Sequence, residues 1–247
     1  MNNLFRLFIA AAVLTIAAGP ASSAESLSAT QKKEVEAVIQ DYLLKNPEII
    51  TKAIEVLQAR KREAEEQQSK AALVAQRSKL FNDPTSPVGG NPSGDITVIE
   101  FFDYRCGVCK RVHPIVAKLI KADPKIRRVY KEWPILGPDS ALAARAALAS
   151  HRQGKYFAFH NAMMEARARL NKNVIMTIAK RVGLDTTRLA RDMESPEISR
   201  ILKQNFALAE ALKLNGTPSF VIEDTLLRGG RDLETMQKLV ADARARK

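Results

Sequence analysis

The chain has 247 residues, with 39 Lys and Arg against 27 Asp and Glu, a formal net charge of +12 and only two cysteines. That length buries a sizeable core without covalent staples, which sets it apart from small disulfide-held folds. The cations are mixed with acids along helical stretches and form no aromatic-interleaved stripe. This pattern argues against nucleic acid as a partner and for solubility and attraction to acidic partners. Residues 1–24 read as a signal peptide: Arg6, an apolar run from Leu7 to Ala18, and a small-residue cleavage site at Ser22-Ser23-Ala24. The run is shorter than the ~20 residues that span a bilayer, an uncleaved anchor being the alternative. An exported, soluble mature protein is expected.

Residues 25–82 read as an all-helical region. Ser28 with Gln31 has the spacing of a capping box. Val35, Val38, Ile39, Tyr42 and Leu43 recur at three- and four-residue steps on one face. Asn46-Pro47 restarts the helix, with Asn46 as N-cap and Pro47 at the first helical position. Ile50, Ala53, Ile54 and Leu57 extend the stripe. A helix from Pro47 to Leu80 would be ~50 Å long, and from Arg60 to Lys70 it is almost wholly polar. The apolar half needs a cover. Self-association of this stalk is expected, a helical hairpin folding back on its own subunit being the other reading. Residues 83–95, with Pro84, Pro87, Gly89, Gly90, Pro92 and Gly94, read as a linker.

The second domain, 96–247, opens with a strand at Ile96–Phe102 and a helix at Cys106–Ala122. A strand at Ile126–Trp133 follows, ended by Pro134. A helical block at about 139–214 is broken at Gly154, Asn171, Gly183 and Ser195-Pro196. Strands at Ser219–Glu223 and Thr225–Arg228 precede a last helix at Leu233–Ala243. Strands flanking a helical block fit an α/β fold, a mixed sheet with a helical insertion.

Both cysteines lie in F-F-D-Y-R-C-G-V-C-K, where the apolar strand turns into the helix. A Cys-x-x-Cys at a helix start is the arrangement of a thiol–disulfide redox site, because unpaired N–H groups and the helix dipole favour the thiolate. A staple closing so short a loop would remove little chain entropy. Cys106, Cys109 and His113 also have a spacing that could ligate a soft metal, but no second cluster completes a tetrahedral site.

The cysteine motif, G-P-D-S at Gly137–Ser140 and G-T-P-S-F at Gly216–Phe220 together resemble the DsbA-like thioredoxin-fold family over residues 85–247. D-Y-L-L-K-N-P-E at Asp41–Glu48 resembles the N-terminal helical region of its suppressor-of-copper-sensitivity subgroup, which includes oligomeric isomerases. The resemblance implies a thioredoxin fold, a cis bond at Thr217-Pro218 beside the redox pair, and backbone groups of Thr217 offered to an extended substrate. It also places a buried acid at Glu100; a carboxylate under the helix N-terminus could accept a proton from Cys109, and Lys131 on the next strand is a candidate partner, though not the favoured reading. Strand alternation alone could instead point Glu100 to solvent. Cys106, nearer the exposed helix start, is expected to be the nucleophile, and Cys109 the resolving thiol. Gly107-Val108 brings no polar side chain between them. His113 reads as a helix-surface residue, and Phe157, Phe159, Met163 and Met164 as core, a peptide groove being the alternative.

These features imply a thiol–disulfide oxidoreductase of the periplasm, with no cofactor and no metal. Its expected partners are cysteine-containing exported proteins, a membrane redox partner and further copies of itself through the N-terminal helices. Isomerase or reductant is favoured over a monomeric oxidase, and a copper-binding thiol protein without turnover is the remaining class. One departure stands out: the turn after the Pro218 strand is Glu223-Asp224, where the family often has glycine.

Overall fold

Ser28 and Gln31 close their capping box: the Ser28 hydroxyl accepts the Gln31 N–H, and the Gln31 side chain accepts the Ser28 N–H at 2.9 Å. The computed structural model describes residues 27–247, so the signal-peptide reading of 1–24 lies outside the described residues. The helix begun at Ser28 is α1, Ala29–Lys45. Asn46 ends α1 instead of starting the next helix, because its side-chain amide and backbone N–H both donate to the Tyr42 carbonyl. Then comes α2, Glu48–Ala75.

The chain divides after Leu57. In the first unit no α1 residue is buried, and Val38, Ile39 and Tyr42 are 68%, 52% and 56% exposed. The apolar stripe read from the sequence is therefore surface.

In the second unit α2 stops at Ala75 and a short helix α3, Arg77–Phe81, follows. The expected single helix to Leu80 is broken at Gln76, whose φ of −101° and ψ of 8° depart from helical values. The break accompanies burial: Leu73, Leu80 and Phe81 pack with Phe101, Trp133 and Leu208. The helical region thus contributes to the core of the second unit well before residue 82.

The expected linker is also part of this unit. Val88–Gly90 forms an edge strand, β1, antiparallel to β3 at Ile126–Glu132. Proline is tolerated there because an edge strand leaves one row of backbone groups unpaired, and the Pro87 carbonyl still accepts the Tyr130 N–H. Asn91 anchors the far end through its side-chain amide to the Pro124 carbonyl at 3.0 Å.

The remaining strands are β2, Ile96–Phe102, β4, Ser219–Ile222, and β5, Thr225–Arg228. They give one sheet of order β1-β3-β2-β4-β5, with only the β2–β3 pair parallel. Every residue of β2 is buried, as expected of a central strand covered on both faces. On one face lie α4, Gly107–Ala122, and α10, Leu233–Ala245; Val112, Val116, Met236 and Val240 pack there with Val98, Phe220 and Ile222.

Five helices stand between β3 and β4: α5 Pro138–His151, α6 Tyr156–Glu165, α7 Lys172–Arg181, α8 Thr186–Met193 and α9 Pro196–Ala211. Phe159, Met163 and Met164 are in their core, whereas Phe157 is exposed. The β4–β5 turn puts Glu223 at φ +52°, the region that favours glycine. Its carboxylate accepts the Thr97 N–H at 2.7 Å, which ties the turn to β2. Among the described residues no helix is long and apolar enough to cross a membrane.

Candidate active site

Cys106 is the N-cap of α4, and its sulfur accepts the Cys109 N–H at 3.4 Å. The approach to the helix is fixed by Asp103. Its carboxylate accepts the Arg105 N–H at 2.7 Å, the Ser140 hydroxyl at 2.8 Å and the Leu136 N–H at 3.0 Å. Gly137–Ser140 is thereby joined to the cysteine loop. From the other side comes the cis peptide Thr217-Pro218. The Pro218 carbonyl is occupied by the Gly229 N–H, while the Thr217 carbonyl faces the Cys106 sulfur at 3.2 Å. Cys106 keeps 8% of its surface and Cys109 none.

The two sulfurs have opposed acidities. A hydrogen bond from the Cys109 thiol is the largest influence on Cys106 and, against the cost of burial, lowers its pKa from 9.0 to about 5. The Thr217 side chain and the Cys109 and Val108 amides add to this. As a thiol, Cys106 donates to the Thr217 carbonyl; that bond exists only in the protonated form and is given up on ionisation. Donation to Cys106, and then burial, push the Cys109 thiol far above its ordinary range. One proton is thus lost easily and its neighbour is held.

Glu100 is buried at 1% exposure and pairs with Arg128 at 2.5 Å. It does not meet Lys131. In the β2–β3 register Glu100 lies opposite Tyr130 and Lys131 opposite Phe101, and alternation sends neighbouring side chains to opposite faces. Lys131 instead reaches Asp83 at 2.8 Å and the Lys79 carbonyl at 3.1 Å.

His113 is not on the helix surface. It shares the inward face of α4 with Cys109 and Val116, is 7% exposed and lies 5.3 Å from the His160 ring. Burial, and then the charge of Arg128, lower its pKa to about 4. Among the described residues no group of three or more His, Cys, Asp and Glu side chains is placed to hold a metal ion.

A buried polar cluster beside the pair has no counterpart in the sequence reading. Tyr104 and Tyr156 donate to one Glu132 oxygen at 3.0 and 2.8 Å, and the Tyr104 hydroxyl lies 2.9 Å from His160 Nδ1. Burial holds Glu132 well above the usual carboxylate range. The one available signal was Tyr104 itself, two residues before Cys106 at the end of an apolar strand.

A dithiol at the start of a helix that packs on a mixed sheet, beside a cis-proline loop, defines a class: a thiol–disulfide oxidoreductase domain of thioredoxin fold. Residues 97–241 match the DSBA-like thioredoxin domain, and residues 31–64 the copper resistance protein ScsC N-terminal domain. The chain belongs to the DsbA-like thioredoxin family.

A thioredoxin-like oxidoreductase from Silicibacter pomeroyi DSS-3 is 53% identical; the match covers 68% of this chain and 98% of that one, with a TM-score of 0.67. A linker-deletion mutant of Proteus mirabilis ScsC is 28% identical, with 91% and 100% of the two chains covered and a TM-score of 0.70. The thiol:disulfide interchange protein DsbA of Bordetella parapertussis is 27% identical over 157 residues, 61% of this chain and 74% of that protein. The chain also matches a Na(+)/H(+) antiporter NhaA of Salinispora tropica, 25% identical, but spans only 24% of that protein's length.

Proposed function

We propose that the protein is an exported, periplasmic enzyme that exchanges disulfides with cysteines of other exported proteins through Cys106. The observation that carries this reading is the Cys106 sulfur at the N-cap of α4, accepting the Cys109 N–H at 3.4 Å and facing the Thr217 carbonyl of the cis-proline loop at 3.2 Å; this setting lowers the Cys106 pKa to about 5. At neutral pH the Cys106 thiolate attacks a client disulfide. A Cys106–client bond forms, the client S–S bond breaks, and the departing client sulfur takes up a proton.

Cys109 then yields its proton to Glu100, attacks the Cys106 sulfur and releases the second client thiol. Two electrons have passed from the pair to the client, and the pair is a disulfide. For reshuffling, the released client thiolate attacks another disulfide of the same client, and a client thiolate so freed attacks the Cys106–client bond before Cys109 does; that bond breaks, Cys106 leaves as a thiolate and the pair returns reduced. The Thr217 backbone, beside Pro218, holds an extended client segment during these steps.

Isomerase or reductant is the favoured direction. It is supported by the likeness of residues 31–64 to the ScsC N-terminal domain and by the exposed apolar stripe of α1, which suits association of several copies. A membrane partner would keep the pair reduced. Cys109→Ala tests the exchange: it should accumulate covalent client complexes that dissolve on reduction. Absence of such complexes, with no refolding of a scrambled multi-disulfide protein by the unaltered enzyme, would overturn the reading.

A further inference from the structure

Along the side of α4, beginning at the cysteine loop, lies a cleft of about 1070 Å³ between that helix and the segment that follows α6. Its rim is strongly positive: Arg105, Lys110, Arg111, Arg167 and Arg169 line it, against one acid, Glu165. Three of these cations are already engaged. Arg105 donates to the Leu136 carbonyl, Lys110 to the Met163 and Ala166 carbonyls, and Arg169 pairs with Asp139 at 2.9 Å.

Arg111 and Arg167 face no carboxylate within ion-pair distance among the described residues. Arg111 folds back over the first turn of α4, its guanidinium 3.6 Å from where a side chain on Gly107 would begin. A cation therefore stands beside Gly107, the residue that follows Cys106, and a second stands across the cleft. In the wall is His113, buried, whose Nδ1 has no hydrogen-bond partner among the described residues.

The geometry points to this cleft as the docking site for an acidic segment of the client, one whose Asp or Glu residues lie within about five positions of the reactive cysteine. The inference rests on disulfide exchange at Cys106 and specifies the class of partner. The cleft runs from Arg105 and then along α4 to Ala117, and its helical part alone is ~15 Å long at 1.5 Å per residue, which an extended peptide covers with about five residues at ~3.3 Å each.

With the client sulfur at Cys106, those residues reach Arg111 and Arg167. Two arginines spaced across a cleft suit separate carboxylates, each of which a guanidinium can hold through paired N–H groups. A free phosphate or other small anion would fill little of such a volume.

The test uses the full-length reduced protein and three disulfide-bonded model peptides, with Glu-Glu, Ser-Ser or Lys-Lys flanking the cysteine. At low ionic strength the Glu-flanked peptide should react about tenfold faster than the Lys-flanked one. The ratio should fall towards one at ~1 M salt, where charges are screened beyond ~3 Å. Arg111→Glu with Arg167→Glu should invert it. The ratio cancels any change these substitutions make to Cys106 itself.

A cysteine-free oligoglutamate peptide should compete with the Glu-flanked substrate. A ratio near one in the unaltered protein, or one that the double charge reversal leaves standing, overturns the inference. So does competition by vesicles of anionic phospholipid without competition by oligoglutamate. If all three peptides react no faster than with a free thiol, it is the exchange reading at Cys106 that fails.

Discussion

Replacing Cys109 by alanine removes the largest influence that lowers the Cys106 pKa, the hydrogen bond from its thiol. Hydrogen bonds to a charged group contribute about 1.5–3 kcal/mol, and one pKa unit corresponds to about 1.4 kcal/mol. The variant should therefore titrate about one to two units above the value of about 5 in the unaltered protein. It should still lie below 9.0, because the Thr217 side chain and the Val108 and residue-109 amides remain. At pH ~6 the thiolate fraction should fall from about nine-tenths to between about a half and a tenth. The pH dependence of iodoacetamide alkylation measures this directly, since the variant holds a single cysteine. A Cys106 that titrates near 5 in both proteins would show that the neighbouring thiol plays no part. A Cys106 that titrates like free cysteine in the unaltered protein would refute the site's chemistry altogether.

The reduction potential should fall by ~59 mV per pH unit below pH 5, where two protons accompany two electrons, and by ~30 mV above it, where Cys106 stays ionised; equilibration with a dithiol buffer across pH 4 to 8 locates the break, and a single slope would contradict the depressed pKa. Glu100→Gln leaves Arg128 buried at 4% exposure without its counter-charge. It should cost about 3–5 kcal/mol in urea unfolding, whereas a loss under ~1 kcal/mol would mean that water reaches the pair. Burial raises the Asp83 pKa, but bonds from Lys131 and Thr85 outweigh it and lower it from 3.8 to about 2. The pair's contribution, about 2 kcal/mol, is complete above pH ~4 and lost as pH falls through 2. The stability difference between the unaltered protein and Asp83→Asn should shrink over that window and stay level above it.

What could be read in the sequence was whatever a segment determines for itself. Ser28 and Gln31 sit within one turn and cap it; Gly154, Gly183 and Ser195-Pro196 interrupt helices by their own backbone preferences; the Cys106 pair carries its chemistry in four residues. What could not be read depends on a distant partner. The three residues of β1 are a strand only because β3 offers its edge, and among prolines and glycines they show no period of their own. Gln76 breaks a good helical pattern so that Leu80 and Phe81 can enter the core. The Glu100 partner, Arg128, was not found for a related reason: in strands buried on both faces, alternation carries no hydrophobic signal, so only the register separates Arg128 from Lys131. The Tyr104–Glu132–Tyr156–His160 cluster joins a loop, a strand and a helix that nothing local connects.

The same thiolate bears on both directions of exchange. A Cys106 pKa of about 5 rather than 9.0 stabilises the dithiol at pH 7 by about 2.7 kcal/mol, ~60 mV for a two-electron couple. Once oxidised, such a pair gives its disulfide away readily. Supplied with electrons, it resists reoxidation by that same margin, which suits an isomerase in an oxidising compartment and makes the pair a weaker reductant. The site is therefore compatible with either trade, and the direction follows from which redox state the rest of the system maintains. The N-terminal helices matter here: if α1 gathers several copies, a client held on one Cys106 has its remaining disulfides within reach of further reduced pairs, a geometry that serves reshuffling more than disulfide donation.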